Sequence, residues 1–189
     1  MATDIAEGML AQTRRLAAEY DHLNMALAMA EAENLPFVSG SLDLVSCRQA
    51  AHHFHDLPGA VAEIRRVLKP GGVFLLSDTV APEGDRETDW LNDVELRRDS
   101  SHQRDWRPSE WLSLLEHTGL QVTHRSMAKV HLEFNDWVLR SATPHEMIER
   151  LRREFLSAKP SVVKAFGIRP EGERIHFHWD VLVVRAVRN

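Results

Sequence analysis

Apolar positions recur at two alternating periods along the first half of the chain. Residues 5–20 (IAEGMLAQTRRLAAEY) are rich in Ala, Leu, Arg and Glu, with Met9, Leu16 and Tyr20 able to share one side, and predict a helix. Short apolar runs at 24–30 (NMALAMA) and 42–47 (LDLVSC), the second preceded by Ser39-Gly40, predict strands. Leu57, Val61, Ile64 and Leu68 then recur at helical spacing behind a potential cap at Asp56, and Lys69-Pro70-Gly71-Gly72 predicts the turn that stops the helix. Val73 to Ser77 again has strand length and composition. Strand, helix and strand in alternation is the pattern of a parallel sheet with helices on its faces.

The second half changes character. Residues 83–105 are densely charged, with one helix expected from about Asp85 to Arg98. A helix opening at Pro108 carries Trp111, Leu114 and Leu115 on one stripe and has Gly119 placed to end it. Leu120 to Leu132 reads as a strand. Thr143-Pro144-His145-Glu146 predicts a capping box for a helix running to about Phe155. At the end, Ile175, Phe177, Trp179, Val181 and Val183 alternate with His176, His178 and Asp180, the period of a half-buried strand.

With 189 residues, 43% of them hydrophobic, the chain suits one compact domain with a sizeable core, 1–189, and lies far from disordered compositions. Its 23 Lys plus Arg against 28 Asp plus Glu give a charge of 23 − 28 = −5. Arg residues are interleaved with acids, so no basic stripe is offered to a nucleic acid and none is expected as a partner. The single cysteine, Cys47, excludes an internal disulfide and reads as a small buried hydrophobe. Charges at Asp4, Glu7, Arg14, Arg15 and Glu19, and the lack of any run of 18 apolar residues, leave no signal peptide or membrane span, so a cytoplasmic protein is expected.

The chain has no phosphate-cradling glycine motif, because Gly71-Gly72 follow a helix instead of a strand. His52, His53 and His55 are too close in sequence to converge on a metal without further ligands, and His176 and His178 share a strand face as exposed histidines commonly do, so no metal is expected. What remains is positional. Ligands of open α/β sheets bind beyond the carboxyl ends of the strands, which here carry Asp4, Glu31 to Glu33, Arg48 to His53, and Asp78. Carboxylates there can accept both hydroxyls of a ribose.

LPF at 35–37, LDLVSC at 42–47, AAHHF at 50–54 and RVLKPGG at 66–72 together resemble the class I S-adenosylmethionine-dependent methyltransferases, from the loop before the fourth strand of that family through its fifth. ATDIAEGML at 2–10 resembles the end of the family's second strand and its following helix, and AEAENLPF the loop after the third. The resemblance spans residues 2 to about 125 and is nearest to the ubiquinone/menaquinone C-methyltransferase type. It implies an α/β fold, a Rossmann-like sheet with helices on both faces, with S-adenosylmethionine as cofactor and a small-molecule acceptor. Carried over by position, Asp4, followed by Ile5, holds the ribose hydroxyls. Glu31 reaches the adenine amino group beside Ala32, and Arg48 begins the loop near the methionine moiety. The acceptor would meet the methyl group near His53 and Asp78, either of which could serve as a base. RRDSSHQRDW, 97–106, resembles a flap whose Arg97, His102 and Arg104 face the acceptor. Flap and insert regions are set at 83–107 and 133–170.

The chain departs from that family in one respect. The first strand and its glycine-rich loop, of the type D-x-G-x-G-x-G, have no counterpart before Asp4. In the family's sheet that strand lies between the second and fourth. The resemblance therefore implies a truncated domain, through a start codon read too far downstream, a degenerate gene, or completion by another chain, and the open strand edge would favour a homodimer. The alternative to an enzyme is a non-catalytic methyltransferase-like binding module.

Overall fold

The computed structural model describes residues 1–22 and 24–189. Its elements, in chain order, are β1 (Ala2–Asp4), α1 (Glu7–Glu19), β2 (Leu27–Met29), β3 (Leu42–Arg48), α2 (Leu57–Val67), β4 (Leu68–Val80), α3 (Asp85–Arg98), α4 (Pro108–His117), β5 (Leu120–Glu133), α5 (Phe134–Arg140), α6 (His145–Leu156), α7 (Pro160–Phe166), β6 (Arg169–Glu171) and β7 (Arg174–Arg188). A short 3-10 turn, Ala51–His53, follows β3.

The strands form two sheets. β1 and β2 are parallel partners, and a five-stranded sheet runs β3-β4-β7-β5 with β6 on β7. β3 and β4 are parallel, whereas β7 is antiparallel to β4, β5 and β6. Among the described residues no ladder joins β1 to β3, so the parallel part of the fold is interrupted between them. The α/β class and the helical cover on both sides agree with the sequence reading.

Two clusters make the core. One lies where α2 (Leu57, Val61, Ile64) and α4 (Trp111, Leu115) meet Leu68, Phe74, Leu76, Leu182, Val184 and Ala186 of the sheet. The other is aromatic, gathering Phe134 and Trp137 of α5, Phe155 of α6, Phe166 of α7 and Phe177 and Trp179 of β7. β7 serves both. Its buried positions are Ile175, Phe177, Trp179 and Val181, then Leu182, Val184 and Ala186. Because alternate side chains stand on opposite faces, that change from odd to even hands the strand from one helical layer to the other.

Predicted boundaries hold closely for α1, α3 and α4, β7 starts as expected but runs on to Arg188 with Val183 off its buried set, and the Asp56 carboxylate caps α2 by accepting from Gly59 N–H at 3.1 Å. Two expectations fail locally. Lys69 to Gly72 do not form a free turn, since β4 begins at Leu68, directly after α2, with Gly71 at φ +77° absorbing the change of direction. Thr143 does not cap α6: its hydroxyl donates to the carbonyls of Arg98 and Val138, both at 2.9 Å, and tethers the α5–α6 connection to α3 instead. The short helices α5 and α7 and the strands β1 and β6 carry too few periods to be read from sequence alone.

Candidate active site

The carboxyl ends of the parallel strands hold the functional candidates in two groups. β1 and β2 pair with Asp4 opposite Met29, so Asp4 and Glu31 leave the sheet at the same end. The Asp4 carboxylate accepts the N–H of Ala6 at 2.8 Å, fixing the turn into α1, and Ala30 N–H donates to the Asp4 carbonyl. The loop after Glu31 is strapped to α2. Glu63 accepts from Leu35 N–H at 3.0 Å, and the Arg66 guanidinium donates to the carbonyls of Leu35 and Phe37 and to the Ser39 hydroxyl.

In the second group, Arg48 ends β3 opposite Ser77 of β4, which sets Asp78 one residue further on. Asp78 is 1% exposed and its carboxylate is surrounded by donors. Oδ2 accepts from the backbone N–H groups of Ala50 and Ala51, at 3.0 and 2.6 Å, and Oδ1 from Thr79 N–H at 2.9 Å. Oδ1 also meets His52 Nδ1 at 2.5 Å. Three backbone N–H groups already donate to this carboxylate, so in the neutral imidazole it is Nδ1–H that donates to Asp78, leaving the lone pair on Nε2. Among the described residues, Nε2 has no hydrogen-bond partner. Burial alone would pull the His52 imidazole down, but the bond to Asp78 and the charges of Asp78, Asp105 and Glu95 raise it above the ordinary value.

The segment after α3 closes over this pair. Gln103 and Arg104 N–H both donate to the His52 carbonyl, at 2.9 and 3.1 Å. His53 Nδ1 lies 3.1 Å from the Ser101 carbonyl. The His102 ring is buried with its centroid 5.8 Å from that of His52. Burial, with the nearby His52 and His53, pushes the His102 imidazole down to about 4, which keeps it neutral. Asn92 orders the segment, its Oδ1 accepting from Asp105 N–H at 2.6 Å and lying 3.0 Å from His102 Nε2. Asp105 is itself buried, and its Oδ1 has no partner among the described residues. Burial, helped by the neighbouring Glu95 charge, raises its carboxyl to about 8.

The structure thus brings Arg48, His53, Asp78 and His102 into one neighbourhood and Asp4, Glu31 and Ala32 into another. Ile5 is exposed at the start of the turn into α1. Arg104 stacks 4.5 Å over Trp106 and pairs with Glu110, and Arg97 is held on the α3 surface by Asp93 and Glu154. Sequence reasoning placed His52 at the strand ends but picked out His53 in its stead beside Asp78, and it missed Asn92 and Asp105. The adjacent histidines cannot be distinguished by spacing, and only the β3–β4 register decides which one meets Asp78. The more open concavities of the surface, one along α4 and the start of β5, the other between α3 and α7, include no residue of this cluster.

Comparisons with known proteins agree with this architecture. A family model described as a methyltransferase domain matches residues 1–76. The uncharacterized protein YafE of Escherichia coli is 34% identical over 186 residues, covering 98% of this chain and 88% of that one. The uncharacterized methyltransferase YcgJ of Bacillus subtilis is 29% identical over 190 residues, covering 100% and 75%. The crystal structure of a candidate methyltransferase from Bacillus halodurans superposes with a TM-score of 0.94 at 32% identity, covering 99% of this chain and 81% of that one. The chain belongs to the S-adenosylmethionine-dependent methyltransferase family, with the class I Rossmann-like fold. Its reaction is methyl transfer, and members of the family typically draw the methyl group from S-adenosylmethionine.

Proposed function

We propose that this chain binds S-adenosylmethionine at the carboxyl ends of β1 to β4 and moves its methyl group to a small-molecule acceptor, with no nucleic acid involved, in the cytoplasm. The observation that carries the reading is the register of β1 on β2, which sends Asp4 and Glu31 out of one sheet end side by side. Two carboxylates at one sheet end suit a nucleoside: Asp4, with Ile5 behind it, takes the ribose hydroxyls, and Glu31 with the backbone of Ala32 takes the adenine edge. Arg48 borders the methionine part. Transfer rests on holding acceptor and methyl in line, since positioning alone is worth several kcal/mol. Of the base candidates, Asp78 is already surrounded by donors and His53 lies against Ser101. Arg97, His102 and Arg104 belong to the segment closing that side, together with the wider flap 83–107. The insert 133–170 completes the same single domain.

The interruption between β1 and β3 bears on activity. A further strand and glycine-rich loop seated there would join the two sheets and complete the cradle for the amino acid part of the donor. The open β3 edge favours pairing of two copies, which light scattering would report as a homodimer. Thermal unfolding of the 189-residue chain with millimolar S-adenosylmethionine or its demethylated product tests the assignment. A bound ligand at 100 times its Kd adds about 2.7 kcal/mol to native stability. Asp4→Ala and Glu31→Ala should each shrink the response, and no response in the parent chain would favour a non-catalytic module.

A further inference from the structure

The His52–Asp78 pair has a geometry that structural need alone does not explain. A carboxylate buried to 1% exposure and already supplied by three backbone donors needs no imidazole to satisfy it. The imidazole is nonetheless held at 2.5 Å, and its side chain is 14% exposed. The result is one fixed tautomer with a free Nε2 lone pair, turned away from a charge that stabilises the imidazolium formed when it takes up a proton. The backbone cooperates from the other side, where two flap N–H groups on the His52 carbonyl fix the residue's main chain. Such a group is oriented to accept a proton, and a methyl acceptor that arrives already ionised would have no use for it.

Resting on the assignment of methyl transfer above, we propose that His52, positioned by Asp78, is the base of the reaction and that the acceptor is a weakly acidic hydroxyl on unsaturated carbon, an enol or phenol. The O–H bond breaks with its proton going to Nε2. The oxygen forms a bond to the methyl carbon as the S–CH3 bond breaks, its electron pair staying on sulfur as a neutral thioether. The imidazolium then returns its proton to water. A hydroxyl acceptor suits the charges, because the oxyanion develops against the cationic sulfonium, whereas an ammonium acceptor would bring a second cation to it. An enol or phenol gives up its proton to an imidazole far more readily than an aliphatic alcohol, whose proton can leave only in concert with attack, and a carboxylate needs no base.

The charges that raise His52 come from three sides, Asp78 on β4, Asp105 on the flap and Glu95 on α3, while the facing His102 is held down by burial and by His52, His53 and Arg98, with Asp99 opposing them. The test compares parent and His52→Gln on two probes, a simple phenol and a nitrophenol that is ionised at neutral pH. His52→Gln should lose about 100-fold or more in kcat on the phenol. The loss should be far smaller on the nitrophenol, and the phenol rate of the variant should recover as pH rises toward the phenol's own ionisation. Equal losses on both probes, or none, overturn the proposal. A second readout needs no turnover: nitrogen NMR of the imidazoles in the 189-residue chain should find His52 as the Nδ1–H tautomer, and Asp78→Asn should abolish that preference while S-adenosylhomocysteine still raises the melting temperature. An Nε2–H tautomer in the parent chain overturns the proposal. A parent chain that ignores S-adenosylhomocysteine while keeping the Nδ1–H tautomer refutes the methyl-transfer assignment and leaves the base geometry standing.

Discussion

Residues 1–50 and residues 51–189 fold under different constraints. Among the described residues Ala51 is the first that is buried. α1 has no buried residue, and Leu16, Tyr20, Met29 and Leu44 are all exposed although each lies on or beside a regular element. The rest of the chain supports two clusters, one of them holding three tryptophans within 6.2 Å of neighbouring rings. Parallel strands are ordinarily buried on both faces. The first region therefore has the backbone of an α/β unit with little of the apolar contact that usually holds one, limited to Leu35, Val45 and Cys47 against the first cluster, and the thin contact of β1, α1 and β2 coincides with the interruption between β1 and β3.

That contrast can be tested by unequal responses to similar substitutions. The largest effect is expected from Phe155→Ala, which empties a site bordered by Trp90, Phe134, Trp137 and Phe177 and should cost about 3–5 kcal/mol in chemical denaturation. An intermediate effect is expected at Asp105. Its carboxyl is raised to about 8 in the fold against 3.8 ordinarily, so the native state holds a proton that the unfolded chain has lost across that interval. Stability from this group is complete below about pH 4 and is lost as pH rises toward 8. Asp105→Asn should therefore be more stable than the parent at pH 8, by about 2 kcal/mol, with the advantage fading toward pH 4. The smallest effect is expected from Leu44→Ala or Leu16→Ala, within about 0.5 kcal/mol, because both side chains are exposed and leave no closed cavity behind. A cost above 2 kcal/mol at either leucine would show that the two halves of the parallel sheet close on each other in solution.

The same division runs through what could be read in advance. Charge density placed α3 and period-two alternation the first part of β7, and the ends of β1, β2, β3 and β4 could be named as a candidate ligand site from chain order alone. The choice between His52 and His53 could not, since both sit in one short turn and only the pairing of Arg48 with Ser77 decides which imidazole reaches Asp78. Thr143 shows the converse, with a cap signature overridden because α3 offered its hydroxyl a buried carbonyl.

The amino-acid order by itself determined the α/β class, the placement of acids at strand ends and the family, because these depend on local period and on short motifs. Tertiary structure alone decided which histidine meets a carboxylate, that Asp105 is buried beside Glu95, and that the parallel strands part into two sheets. Those outcomes depend on register and on contacts between separate elements, such as His52 and Asp78 with their separation of 26. Hydrogen bonding and desolvation act through space, and no local pattern encodes them.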